Sequence, residues 1–294
     1  MVTTSGSNGF ATFRRALRRC TPTLSRELPW IAHGDPWAIF VSEVMLQQTQ
    51  TSRVIEPWTR FIRAFETPTA CADAPLSDVL RLWAGLGFHR RAKFLHESAK
   101  AMRDSFGGKV PATVEELRSL PGIGDYTANA VACFAFGAKV AVLDTNVGRV
   151  LARCVMGRTL TVKEAREVAH EVLDKKNPQS FNQAMLDLGA QFCKSSPLCE
   201  LCPVRQVCVW QTQGGDDPAP RSAGVSKPQS KFEGSDRQIR GRMLAVLREG
   251  RVSASALRQK LDSVEHIRYE SILEGLILDG LVERSGRSLQ LSGE

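Results

Sequence analysis

The sequence lacks any stretch approaching the roughly 18 apolar residues that a membrane helix needs, so no spanning segment is expected. Residues 1–9 are polar and carry no apolar h-region, which argues against a secretory signal. There is no internal repeat, so solenoids and propellers are set aside. The first 210 residues show no sustained period-two alternation, which sets aside a β-sandwich or barrel. Acidic residues are outnumbered: 39 Lys and Arg face 31 Asp and Glu, giving a net charge of +8 and a pI near 9.2. A basic surplus of this size suits a polyanionic partner.

What remains is helix after helix. Asp35 followed by Pro36 reads as a cap with proline at the first helical position, opening a helix from Trp37 to about Gln48. The apolar spacing predicts further helices over 51–65, 76–84 and 89–106. Thr113 with Glu116 and Thr161 with Glu164 form capping boxes, opening a short helix to about Leu120 and a longer one to Lys175. Helices over 125–136, 144–154 and 181–192 complete this part. Residues 211–235 are rich in Gly, Pro, Ser and Gln and read as a linker. After it, helices over 236–249, 253–261 and 265–279 and a hairpin of 281–284 with 288–291 spell a small winged helix.

Eight cysteines are present. Cys20, Cys71, Cys133 and Cys154 are scattered and are expected to be small buried hydrophobes. Cys193, Cys199, Cys202 and Cys208 are spaced C-x5-C-x2-C-x5-C. Four thiolates so close in sequence need a cation, and both tetrahedral zinc and a 4Fe–4S cluster suit them. Leu120 to Gly124 places Gly122 and Gly124 in a turn between helices. Such a turn can offer N–H groups to a phosphate, or can be an ordinary helix connection.

Two carboxylates stand out. Glu43 lies in a helix apolar almost all round, where burial is expected to raise its pKa and fit it for general acid work; the alternative is a salt-bridged structural glutamate. Asp144 starts a helix, where the dipole favours the ionised form; the alternative is a plain N-cap. One protonated and one ionised carboxylate suit cleavage of a glycosidic bond through an oxocarbenium-like state. His89 is read as a surface histidine.

The segments Leu28 to Trp30, Ser42 to Thr49, Gly85 to Gly87, Leu120 to Gly124, Leu143 to Val147, Phe181 to Ala184 and Asp187 to Ala190, with the cysteine loop, resemble the helix-hairpin-helix DNA glycosylases of the endonuclease III superfamily. Within these, Ser42 to Thr49 resembles the adenine DNA glycosylases of the MutY type. The resemblance implies an all-α fold. Residues 1–29 would begin a cluster domain, 30–136 would form a six-helix barrel with the helix-hairpin-helix, and 137–210 would complete the cluster domain. The linker 211–235 and a winged-helix-like segment 236–294 would follow.

It implies a monofunctional enzyme of DNA repair that removes adenine mispaired with 8-oxoguanine or guanine. Glu43 would protonate the base and Asp144 would stabilise the sugar cation, with Tyr126 and Asn146 in support. Trp30 and Gln183 would line the adenine pocket. Gln48 and Phe88 would wedge into the duplex, with Thr49, Leu86, Gly122 and Gly124 also on DNA. The four clustered cysteines would hold a 4Fe–4S cluster. Bifunctional relatives carry lysine at the Tyr126 position, and tyrosine cannot form their Schiff base. Two departures stand out: the first cysteine interval is one residue shorter than the family's, and the residues after the linker are too few for its Nudix-like domain. A thymine or uracil mismatch glycosylase is the alternative enzyme; a DNA-binding regulator with a cysteine-bound metal is the alternative of another class. The partner would be double-stranded DNA with a mismatched or oxidised pair, met by a monomer in the cytoplasm, on the nucleoid.

Overall fold

The computed structural model describes residues 4–223, 225, 231–262 and 265–294, and the side chains of these from residue 8 onward. Part of the expected linker, residues 224 and 226–230, lies outside the described residues. The fold is mostly helical, and no helix among the described residues is long and apolar enough to cross a membrane. The chain divides into two compact units, Met1–Ile31 with Gly124–Pro228 and Ala32–Ile123 with Gln229–Glu294.

In the first unit, the helix Thr4–Leu24 buries Phe10, Phe13, Leu17 and Leu24 along one stripe, while four arginines at positions 14, 15, 18 and 19 take the other faces. Each such large apolar side chain contributes about 1.5–3 kcal/mol on burial. Sequence reading gave this segment no bounds. The stripe packs on Val150, Leu151, Val168, Val172, Ala184 and Leu188, joining the helices Thr145–Val150, Val162–Val172 and Pro178–Gln191 in one core. The helix expected over 144–154 divides in two. After Val150 it widens to a π-helical turn, Leu151–Met156, the kind of irregularity that accompanies functional sites. Two helices meet at Gly189: a Cβ there would lie 2.6 Å from Cβ of Asn146, so only glycine admits the approach.

In the second unit, the helix Pro36–Leu46 starts where predicted. Asp35 accepts from the Ala38 N–H at 3.0 Å, and every residue from Trp37 to Met45 is buried. The Trp37 and Trp58 indoles donate to Phe65 O and Ala38 O, so the buried rings leave no N–H unsatisfied. The helices Thr51–Ala64, Leu76–Leu82 and Arg90–Ser105 end within three residues of expectation, and the short helix Pro68–Asp73 is an addition. His89 corrects the sequence reading. It is buried, and Arg248 donates to its Nε2 at 3.0 Å. Burial, helped by the charges of Arg248, Arg240 and Arg91, lowers its pKa to about 3, so the ring is neutral.

The C-terminal helices Asp236–Arg248, Ala254–Gln259 and Tyr269–Leu278 bury Ile239, Met243, Leu247, Leu257, Leu273 and Leu276, and the first and last of them pack together. Against them lies a three-stranded antiparallel sheet in the order Val252–Ser253, Ser288–Leu291, Val282–Ser285. The segment is fastened to the rest of its unit. Arg81 pairs with Glu294, and Lys93 Nζ donates to Asp279 O at 3.0 Å.

Candidate active site and cysteine centre

The expected site residues fall into both units. The second holds Glu43, Gln48, Thr49, Leu86, Phe88 and Gly122; the first holds Trp30, Gly124, Tyr126, Asp144, Asn146, Gln183 and the four clustered cysteines. Glu43 is 5 % exposed, on the helix buried throughout from Trp37 to Met45. Just beyond that helix the chain turns sharply. Gln48 has φ of 55° and Phe88 has φ of 47°, the two non-glycine residues in the left-handed region among the described residues. That conformation costs roughly 1–2 kcal/mol per residue.

One side chain that sequence reading missed holds both turns. Arg91 is buried, and its Nη1 donates to the carbonyls of Val44, Met45 and Gln47 at 2.6–2.9 Å. Its Nη2 donates to Thr49 Oγ1 at 3.0 Å and to the Leu86 and Gly87 carbonyls at 3.3 Å. The guanidinium therefore caps the Glu43 helix and ties Gln47–Thr49 to Leu86–Gly87. Burial lowers its pKa to about 10, which leaves it charged at neutral pH. The one sequence signal was its place in the first turn of Arg90–Ser105, where the helix dipole disfavours cations and some other reason must keep it. Gly122 has φ of 72°, and a Cβ there would lie 2.6 Å from the Phe94 ring, so this turn needs glycine twice over.

In the first unit, Asp144 caps Thr145–Val150, its Oδ1 accepting from the Val147 N–H at 2.8 Å. Asn146 Nδ2 donates to Oδ2 at 2.7 Å. Burial raises the carboxyl's pKa against the expected effect of the helix end; these donors and the Arg149 charge oppose the rise without cancelling it. Arg149, also missed, donates to Asn146 Oδ1 at 2.6 Å, to Gly189 O at 3.1 Å and through Nε to Cys193 O at 2.7 Å. A chain of hydrogen bonds thus runs from the Asp144 carboxylate to the first cysteine of the loop. Tyr126 is half-buried against Ala130, Cys133 and Val142. Trp30 is 3 % exposed. Gln183 Nε2 donates to Asp187 Oδ2 at 3.0 Å, and Asp187 is paired with Arg26. Gly124 is the exposed N-cap of Asp125–Phe136.

Cys193, Cys199, Cys202 and Cys208 line one small pocket with Phe192, Trp210 and Arg153. Among the described residues, no three His, Cys, Asp or Glu side chains converge as metal ligands. The donor set nonetheless suits a thiolate-held centre. Cys154, expected to be an isolated buried thiol, stands beside Cys193 and Cys208; its hydrogen bonding lowers both to about 7 against the opposing effect of burial. Burial pushes Cys202 up to about 11. Arg153, its side chain 1 % exposed, donates to Cys193 Sγ, Lys194 O and Ser195 O and pairs with Asp217 at 2.6 Å. It places a fixed positive charge where thiolates would gather.

Residues 41–175 match the family of HhH-GPD superfamily base excision DNA repair proteins. The adenine DNA glycosylase of Mycobacterium tuberculosis (strain ATCC 25618 / H37Rv) is 40% identical over 270 residues, covering 88% of this chain and 86% of that protein. The adenine DNA glycosylase of Mycolicibacterium smegmatis (strain ATCC 700084 / mc(2)155) is 41% identical over 279 residues, covering 92% of each. Among solved structures, a trapped endonuclease III–DNA covalent intermediate superposes with a TM-score of 0.61 at 25% identity, covering 72% of this chain and 99% of that one. The chain belongs to the adenine DNA glycosylases, within the HhH-GPD superfamily of base excision DNA repair proteins.

Proposed function

We propose that the chain removes adenine from duplex DNA where it is mispaired with 8-oxoguanine or guanine, and that it does so without cutting the strand. Base excision by an adenine DNA glycosylase is the activity of its family. Extrusion of the nucleotide precedes chemistry, because the glycosidic bond is out of reach inside a stacked duplex. Glu43 donates a proton to the adenine ring and makes it a neutral leaving group. The C1′–N bond breaks through a cationic sugar, which the Asp144 carboxylate stabilises; water adds to C1′ and gives its proton back to the Glu43 carboxylate, leaving an abasic site. Asn146 orients Asp144, and Tyr126 supports the site. Trp30 and Gln183 line the base pocket; Gln48 and Phe88 enter the duplex, with Thr49, Leu86, Gly122 and Gly124 along the DNA. Cys193, Cys199, Cys202 and Cys208 would hold a 4Fe–4S cluster that braces the loop around Arg153. The enzyme acts as a cytoplasmic, nucleoid-associated monomer.

The observation that carries this reading is the burial of Glu43 in an apolar helix, since burial disfavours the charged carboxylate and so suits a proton donor. The test is single-turnover base release from duplexes with adenine or thymine opposite guanine or 8-oxoguanine, run with and without alkali. Adenine should be released and the strand should stay intact until alkali is added. Preferred release of thymine, or strong nicking before alkali, would overturn the reading. Glu43→Gln should still bind mismatched duplex but release base at least about 10²-fold more slowly. Unchanged turnover would defeat the role of Glu43, and binding without any base release by the unaltered chain would favour a regulator.

A further inference from the structure

The residues after the fourth clustered cysteine turn back onto the loop they follow. The π-helical turn Leu151–Met156 ends at Gly157, whose φ is 64°. A Cβ there would lie 2.6 Å from Val209 Cγ1 and 2.7 Å from Gln213 Oε1, so the missing side chain admits the short helix Val209–Gln213. That close approach brings two consecutive side chains to the cysteine pocket. The Trp210 ring lies 5.6 Å from the Arg153 guanidinium, and Gln211 Nε2 donates to Cys199 Sγ at 3.3 Å.

Each clustered sulfur thereby meets a donor. Arg153 Nη1 reaches Cys193 Sγ at 3.5 Å, with the Cys154 thiol beside it. Cys202 accepts from the Val204 N–H, and Cys208 from the N–H groups of Trp210 and Gln211. The backbone donors come with the turns of the loop, whatever its side chains. The donors of Arg153 and Gln211 depend on residue identity. Cys193 is buried and Cys199 half-buried, so Gln211 serves the more open sulfur of the two. A donor at a thiolate, or a positive charge near it, draws electron density from the sulfur. It favours the more negative, reduced state of a centre that the sulfur holds, and so raises the reduction potential.

We propose that Gln211 and Arg153 set the reduction potential of a 4Fe–4S cluster held by the four cysteines. Gln211 acts through its hydrogen bond to Cys199, and Arg153 through its charge and its hydrogen bond to Cys193. The inference rests on the reading above, in which those cysteines hold such a cluster. Both residues act through the ligating sulfurs and are positioning residues. Asp217 works against Arg153: paired with it at 2.6 Å, it offsets part of the guanidinium charge. The potential is therefore a balance of one amide donor on the open side of the loop and one partly neutralised cation on its buried side.

The experiment is an anaerobic redox titration of the purified full chain, followed by its visible absorbance. Gln211→Met keeps the length of the side chain and loses the donor, so its potential should fall below that of the unaltered chain. Gln211→Glu adds a negative charge as well and should fall further. Gln211→Lys keeps an N–H donor, adds a positive charge and should rise above the unaltered chain. Asp217→Asn keeps the shape of the side chain, frees the Arg153 charge and should also rise. Gln206→Lys puts the same charge on an exposed side chain of the same loop, and should shift the potential less than Gln211→Lys. Gln211 is half-buried, so its variants are expected to fold; equal absorbance per chain and equal melting temperatures would establish it. Potentials that do not move, or that move the same way in Gln211→Met, Gln211→Glu and Gln211→Lys, would overturn the role of Gln211, since a packing role ignores the sign of charge. An equal rise in Gln206→Lys would also overturn it, in favour of distant charge. An unmoved potential in Asp217→Asn would overturn the role of Arg153. A colourless chain carrying zinc would defeat the cluster reading instead, because no couple would remain to titrate.

Discussion

Arg91 and the two strained turns make an energetic unit whose coupling can be measured. The guanidinium donates six hydrogen bonds, three of them to carbonyls at the end of the Glu43 helix and the turn beyond it. Hydrogen bonds from a charged group contribute about 1.5–3 kcal/mol each in isolation. Six sharing one cation cannot sum; its partners are neutral carbonyls and a hydroxyl, and leaving a buried acceptor unpaired costs about 1–3 kcal/mol, so about 3–5 kcal/mol is taken for the whole set. Against this stand Gln48 and Phe88 in the left-handed region, at roughly 1–2 kcal/mol each. The two totals, about 3–5 and about 2–4 kcal/mol, are close. Arg91 therefore holds the strain with little to spare, and without it the turns should relax. Arg91→Met should destabilise the chain by only about 1–2 kcal/mol, because relaxation returns part of what is lost. Gln48→Gly in the otherwise unaltered chain should stabilise by up to about 1 kcal/mol, the relieved strain less the entropy of glycine. In the Arg91→Met background the same change should give nothing or a small loss. Urea unfolding of the two single variants and the double variant closes the cycle, with an expected coupling of about 1 kcal/mol. Additivity within about 0.3 kcal/mol would show that Arg91 does not hold the turns in their strained form.

Three further outcomes follow from the same geometry. Asn146→Ala removes a donor to Asp144, whose pKa burial already raises; since the ionised form is the one required, base release should fail at a higher pH on the acid side. An acid limb that stays put or moves down in a pH–rate profile would contradict this. Gly122→Ala forces a Cβ into the Phe94 ring at positive φ, and should cost about 2 kcal/mol or more in thermal unfolding and weaken duplex binding; stability within about 0.5 kcal/mol would refute the packing argument. The purified chain should absorb near 400 nm, and Cys199→Ser should diminish the band. Stoichiometric zinc without any such band would replace the iron–sulfur assignment.

Much of the fold is legible because helix signals are local. Asp35-Pro36, Thr113 with Glu116 and Thr161 with Glu164 all form the caps that their spacing predicts, since a cap needs only three or four consecutive residues. The residues that organise the candidate site were illegible for the opposite reason. Arg91 acts through carbonyls up to 47 positions away in sequence, Arg149 through Cys193 and Gly189, and Arg153 through Asp217, and no periodicity encodes those partners. His89 shows the same failure in reverse. A histidine beside two arginines reads as surface, but Arg248, from a segment 159 positions away, covers it. Asp144 is the instructive middle case. Its place at a helix start was readable, and so was the dipole that favours its charge; its burial was not, and burial decides the direction of its pKa. Asp144 and the clustered cysteines can thus be located in the sequence as candidates, but the electrostatic state of Asp144 and Cys193 depends on burial and on Arg149 and Arg153, which only the folded chain brings to them. This is why the perturbations that discriminate best here fall on Arg91 and Asn146 as much as on Glu43.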